Sequence, residues 1–183
     1  MKTNSLDLVA FWKAHCRYEF ETRDVDNTMA TMVEEPYVNH IPTMTGGVGH
    51  DQLKRFYKYH FIGVNPPDFR LTPISRTVGD DCLVEEVVMH LTHTTEIDWL
   101  LPGIPPTGRV VEVPLVAIVK FAGDKLAHEH IYWDQASVLV QVGLLDPKGI
   151  PVAGSETAHK VMDKTRPSNE LMARWATSAG KPI

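Results

Sequence analysis

The first hydrophobic pattern along the chain is helical. Leu6, Val9, Ala10, Trp12, Ala14, Cys16 and Phe20 recur at roughly helical spacing between residues 6 and 22, and Ser5 stands where an N-cap belongs. Asp24 or Asp26 is placed to cap a second, shorter helix that carries Met29 and Met32. Pro36 ends helical continuity, because its ring removes an amide donor and crowds the preceding turn. Tyr37 to Ile41 then reads as a short strand. Gly46-Gly47-Val48-Gly49 reads as a flexible turn, since it lacks the long apolar strand and the Lys-Ser/Thr pair of a phosphate cradle. A third helix is predicted from His50 or Asp51 to about Phe61, with Leu53, Phe56, Tyr57 and His60 on one face. Asn65-Pro66-Pro67-Asp68 stops it.

Beyond this point the period changes from helical to alternating. Residues 69–78, 83–97, 109–121 and 126–140 are rich in Val, Ile, Thr and aromatics and read as strands. Gly79-Asp80-Asp81 and Ala122-Gly123-Asp124 are hairpin-like connections, and residues 102–108 form a stiffer, proline-rich loop. Helices first and an antiparallel meander after them describe an α+β fold, with the helices gathered on one side of a sheet. Past Gly149 the pattern weakens to two short helices, Ser155–Met162 and Ser168–Ala176. The organisation is therefore one α+β domain over residues 1–148 and a C-terminal extension over 149–183.

Composition narrows the function classes. The chain has 183 residues, 43% hydrophobic and 22% charged, which is a globular balance with enough length for a real core. A net charge of −5 without a basic stripe argues against a nucleic-acid surface. No run approaches the ~20 apolar residues of a membrane span. The first residues show no signal-peptide pattern, so a cytoplasmic protein is expected. Cys16 and Cys82 have no CxxC spacing and read as reduced core thiols.

Alternation assigns candidate chemistry to faces. On 83–97 the odd positions are the more apolar and should meet the helices, which places Glu85 and His93 on a buried surface where each needs a partner. In His128-Glu129-His130-Ile131-Tyr132-Trp133-Asp134, the residues His128, His130, Tyr132 and Asp134 share one face. Two imidazoles, a phenol and a carboxylate in a row suit proton transfer. The same row also suits a solvated face or a polar contact between chains, because Ile131 and Trp133 lie on the other side. His128-x-His130 and His90-x-x-His93 hold enough imidazoles for a metal, but without the closed ligand set of a zinc site, so no metal is expected. Neither a Gly-x-Ser-x-Gly elbow nor a dinucleotide fingerprint occurs. Strand 109–121 is apolar on both faces, as if one met the core and the other a second chain.

Three ordered stretches resemble the SnoaL-like branch of the nuclear-transport-factor-type superfamily. They are Leu101 to Arg109, then Val111-Glu112-Val113-Pro114, then Glu129 to Asp134 leading into Val138 to Leu145, with Asp134 seven residues before Gln141. The resemblance covers about residues 5 to 146. It departs from the family form in having Ile131-Tyr132 between Glu129-His130 and Trp133-Asp134, so only Asp134 is carried over, onto the acid/base aspartate of the cyclases. The resemblance implies a curved sheet wrapped over three helices like a cone, a deep pocket between them, and dimers formed through the outer sheet face. It also implies acid–base chemistry without metal or organic cofactor, as in polyketide cyclases, ketosteroid isomerase, scytalone dehydratase and limonene epoxide hydrolase.

On that reading Asp134 moves a proton next to the carbonyl of a small hydrophobic substrate. His93 or His130 is the partner acid, and Tyr132 or His40 holds the oxygen that gains charge. Trp99, Trp133, Phe56 and Tyr37 supply apolar walls. The competing expectation is a non-catalytic module of the same fold that only binds a small molecule or a partner.

Overall fold

A computed structural model describes residues 7–183. Helix α1 (Leu8–Phe20) starts at Asp7, whose carboxylate accepts the Ala10 amide at 3.0 Å and satisfies an otherwise orphaned donor of the first turn. Ser5, the expected cap, lies outside the described residues. Asp24 caps α2 (Val25–Ala30) in the same way, through the Asn27 amide at 3.0 Å. Met32, expected on that helix, instead opens strand β1 (Met32–His40). Pro36 sits inside this strand. It cannot donate to a ladder, and the pairing register slips between Met32 and Tyr37, which lets the strand absorb it.

The glycine-rich stretch is a strand and not a flexible turn. β2 (Thr45–Val48) pairs antiparallel with β1, from Tyr37 opposite Val48 to His40 opposite Thr45. Gly46 has φ +138°, and a Cβ there would lie 2.0 Å from the Val38 carbonyl oxygen, so the close approach of the two backbones requires glycine. α3 (His50–Phe56) runs into a wider π-type turn, Tyr57–Phe61, closed by the Ile62 amide on the Tyr57 carbonyl at 2.9 Å. Together they fill the span predicted for the third helix.

The remaining strands are β3 (Arg70–Val78), β4 (Cys82–Thr92), β5 (Val110–Ala122) and β6 (Lys125–Trp133). The six strands form one curved, unclosed sheet in the order β2-β1-β6-β5-β4-β3, antiparallel throughout except for the parallel β1–β6 pair. The odd residues of β4 face the helices, as alternation predicted, and so do those of β5, where both faces read as apolar; Leu83, Met89, Val111, Val113 and Val119 are buried. Two strands are shorter than expected. β4 ends at Thr92, and β6 ends at Trp133, where Asp134 begins α4 (Gln135–Gln141).

In the C-terminal extension, α5 (Glu156–Met162) matches expectation and docks on the cone. Ser137 Oγ donates to the Gly154 carbonyl at 2.8 Å, and His159 Nε2 meets Glu112 Oε2 at 2.8 Å. The second predicted helix shrinks to a 3₁₀ turn, Trp175–Ser178. Leu171, Met172 and Trp175 remain more than half exposed, so no tertiary contact repays the cost of starting a longer helix. Among the described residues no helix is long and apolar enough to cross a membrane.

Candidate active site

The buried stripe of α1 contains two polar side chains. Leu8, Trp12, His15 and Glu19 follow one another at helical spacing and point into the core. From the sheet, β6 contributes Glu129 to the same interior, and the turn after α3 contributes Tyr57. These groups converge. His15 Nε2 lies 3.1 Å from Glu19 Oε1 and 3.3 Å from Glu129 Oε1, and the Tyr57 hydroxyl donates to Glu129 Oε1 at 3.3 Å. Trp12 stacks on the His15 ring, 5.4 Å between centroids.

The proton on His15 can be located from its surroundings. Thr31 Oγ1 donates to the Thr28 carbonyl at 2.6 Å, so towards His15 Nδ1, at 2.6 Å, it acts as acceptor and Nδ1 carries a hydrogen. That leaves Nε2 between two carboxylates. Burial by itself would push the imidazole down, but Glu19 and Glu129 together outweigh it and raise the pKa to about 10. The ring is therefore an imidazolium. It neutralises one carboxylate, and burial pushes Glu19 up towards the protonated form. Burial, and after it the nearby carboxylate charges, also raise the Tyr57 phenol and the Cys16 thiol, so both stay protonated and Cys16 is a poor nucleophile.

Glu19, Tyr57 and Glu129 open on an apolar cavity of about 60 Å³, walled by Val38, Phe61, Met89, Trp99, Leu115 and Ile131. His40 lies on the same cavity, ringed by Phe56, Phe61, Trp99 and Trp133 at centroid distances of 5.1 to 5.8 Å. Its Nδ1 donates to the Thr45 carbonyl at 3.2 Å, and burial lowers its pKa to about 4, which leaves a neutral ring with an Nε2 lone pair. Glu85 also lines the cavity, but both oxygens are engaged, one by Trp12 Nε1 and the other by Arg76 Nη2. Trp12, Cys16, Phe20, Phe69, Leu71, Glu85 and Val87 wall both this cavity and an open groove of about 600 Å³ between α1 and β3, which gives the interior a mouth.

Of the residues singled out from sequence, His40, Glu85 and Trp99 line the cavity, and Phe56 and Trp133 pack behind them. The others lie elsewhere. Asp134 is exposed at the N-cap of α4, accepting the Ala136 amide at 2.9 Å and the Ser137 amide at 3.2 Å. The strand ends before Asp134, so the alternation that would have aimed it cannot reach that far. His130 and Tyr132 do share a face with His128, but it is the outer one. His130 stacks on His128 at 4.6 Å and meets Tyr37 edge-on at 5.3 Å. His93 is buried past the end of β4, where its Nδ1 accepts the Thr107 amide at 3.3 Å and burial lowers its pKa. It does not line the cavity.

The pairs His128-x-His130 and His90-x-x-His93 do not converge on a shared point. Among the described residues the grouping compact enough to hold a metal ion is His15, Glu19 and Glu129, whose ligand atoms lie within 4.8 Å of one another. Sequence reasoning did not find this cluster. The signal was present, as two polar residues four apart on the buried stripe of α1 and a glutamate alternating with Ile131 and Trp133.

Comparison with known proteins agrees with this architecture. No curated protein matches the sequence. Among solved structures, a candidate polyketide cyclase from Acidithiobacillus ferrooxidans superposes with a TM-score of 0.59 at 17% identity, over 77% of this chain and 97% of that one. A candidate SnoaL-like polyketide cyclase from Jannaschia gives 0.56 at 18% identity, over 80% and 99%. A protein of ketosteroid isomerase-like fold from Catenulispora acidiphila, solved with trimethylamine, gives 0.54 at 17%, over 74% and 93%. At these identities the likeness speaks for the fold. The sequence profile of the SnoaL-like domain matches residues 12–129, from the first cavity-lining residue of α1 to the inward glutamate of β6. The chain belongs to the SnoaL-like domain family.

Proposed function

We propose that the chain is an acid–base enzyme of the cyclase, isomerase or hydratase type, acting on a small hydrophobic carbonyl compound with its own side chains and no bound cofactor. The observation that carries this reading is the pair of buried carboxylates, Glu19 and Glu129, sharing one imidazolium at the wall of an apolar cavity. Two carboxylates in one dry site cannot both hold full charge at neutral pH, and an uneven sharing of protons supplies an acid and a base together. Glu129 takes the proton from the carbon next to the carbonyl. The C–H electron pair moves into the enolate, and the Tyr57 hydroxyl turns from Glu129 to the oxygen that gains charge. Glu19 stays protonated throughout, so once Glu129 is neutral the charge of His15 balances that of the enolate. The His40 Nε2 lone pair accepts a hydrogen bond from a substrate hydroxyl. Asp134, outside the cavity, has no part in these steps. The descriptions of the structural neighbours as polyketide cyclases support the ring-closing variant.

Proton abstraction is read directly by exchange of α-protons of hydrophobic cyclic ketones into D₂O, followed by NMR. Glu129→Gln should slow exchange by about 10²-fold or more with the melting temperature kept within a few degrees. Exchange at the wild-type rate in that variant overturns the assignment. A wild-type protein that binds such ketones without exchanging them points to the non-catalytic binding module instead. We further propose a homodimer through the outer sheet face, where Val110, Ile118 and Tyr132 stand exposed.

A further inference from the structure

The groove that leads into the cavity has a charge pattern of its own. Its rim carries four cations, Lys13, Arg17, Arg70 and Arg76, against two carboxylates, Glu21 and Glu85. The chain as a whole has a net charge of −5, so this excess runs against the average surface. Arg76 is spoken for by Glu85, although its buried Nε–H is left without an acceptor. Lys13, Arg17 and Arg70 have no ion-pair partner among the described residues. Asp68, which feels the charge of Arg70, is instead tied to the amide and hydroxyl of Thr92 at 3.1 and 2.6 Å. Lys13 and Arg17 lie one turn apart on α1, where like charges repel, and Arg17 has only the face of the Tyr18 ring, 5.5 Å away, and the end of the helix to offset its charge. An arrangement of this kind is costly to keep bare and favourable once an anion arrives.

The groove is apolar beneath the rim. Trp12, Phe20, Phe69 and Leu71 continue from it into the cavity, so a bound molecule meets charge first and hydrocarbon after. We infer that the substrate is an anionic amphiphile, with a carboxylate or similar acidic group held by Lys13, Arg17 and Arg70 at the mouth and an apolar carbonyl-bearing body reaching inward. This names the substrate class of the site and rests on the acid–base reading only for the chemistry at the inner end. The small inner cavity, about 60 Å³ against about 600 Å³ for the groove, fits this division, since only the reacting part of the molecule needs to enter.

The test is calorimetric titration with 2-naphthoate and with its methyl ester, which share an apolar body and differ in charge. In low salt the carboxylate should bind at least about tenfold tighter, each exposed pairing adding a modest factor, and the advantage should shrink as salt rises. The double variant Arg17→Gln/Arg70→Gln changes exposed side chains only. It should lose most of the preference while binding the ester as before. Equal or tighter binding of the ester by the wild type, no measurable binding of naphthoate, or an intact preference in the double variant overturns the inference. The same titrations on Glu129→Gln separate the two readings. A carboxylate preference that survives beside unimpaired proton exchange sinks the chemistry and spares the rim, whereas a missing preference beside exchange that depends on Glu129 sinks the rim alone.

Discussion

Replacing His15 by glutamine tests the electrostatics of the interior most directly. The imidazolium is fully buried between Glu19 and Glu129, themselves only 4% exposed, and glutamine keeps much of its volume without the charge. A rise from the ordinary 6.5 to about 10, at about 1.36 kcal/mol for each pH unit, corresponds to about 5 kcal/mol of favourable interaction. Breaking a buried ion pair from one side costs about 3–5 kcal/mol in general, so the two routes agree in order of magnitude. The sign with pH follows from linkage. The folded pKa of His15 lies above the unfolded one, so its stabilisation is complete below about 6.5 and is lost as pH climbs through about 10. In the variant, the two carboxylates lose their counter-charge and bind protons more readily than in the unfolded chain. Their penalty grows once pH exceeds the ordinary glutamate range near ~4.3.

Urea melts of wild type and His15→Gln at pH 5, 7.5 and 10 should therefore differ most at pH 7.5, by about 3 kcal/mol or more. The corresponding drop in melting temperature is on the order of 10 °C. The difference should narrow at both pH 5 and pH 10. A loss below about 1 kcal/mol that is the same at pH 5 and 7.5 would falsify the picture of one imidazolium serving two buried carboxylates.

Three other outcomes follow from the geometry. Asp134→Ala removes an N-cap and should cost about 1 kcal/mol of stability while leaving α-proton exchange at the wild-type rate; an inactive but well-folded variant would return Asp134 to the reaction. Because Nε2 of His15 already carries a proton between the carboxylates, chelators should leave exchange unchanged, and activity lost with EDTA and restored by a divalent ion would mean that His15, Glu19 and Glu129 hold a metal. Gly46→Ala drives a Cβ against the Val38 carbonyl and should detach β2, read as faster amide hydrogen exchange at His40 and Thr45; unchanged protection there would contradict the close approach.

Much of the fold was legible because its strands are long and half-buried. Alternation in 83–97 assigned the faces of β4, and the third helix fell where its apolar stripe lay; 109–121, apolar on both faces, left the inward side of β5 open. What escaped was set by contacts distant in sequence. β2 is a strand because Gly46 can press against Val38, a close contact that glycine content alone reads as looseness. The candidate site illustrates the same limit. His128, His130 and Tyr132 do share a face, as their spacing says, but spacing does not say which face is inside. Ile131 and Trp133 answered that question, and the one carboxylate in phase with them was Glu129. On α1 the buried stripe runs through Leu8, Trp12, His15 and Glu19. The apolar residues alone share Trp12 with that stripe but otherwise run through Val9, Ala14 and Cys16.

Glu112 ties several parts of the molecule together. Its side chain meets His90 Nδ1 at 2.9 Å and His159 Nε2 at 2.8 Å, while the Gln141 amide clasps its backbone on both sides, at 2.8 and 2.9 Å. Burial pushes this carboxyl up, but the two histidine hydrogen bonds outweigh it and hold it below the usual range. Glu112 lies on the outer side of β5, so the clasp seats α5 on the face where a second copy would land. The clasp covers the ground around Glu112, and the apolar strip beyond it begins at Pro114 and runs through Val116 and Ile118 towards Tyr132. In the proposed dimer the tail would work as a spacer. Two copies meeting through this face would be displaced along it, and a chain shortened after Leu145 would pair in a different register from the full one.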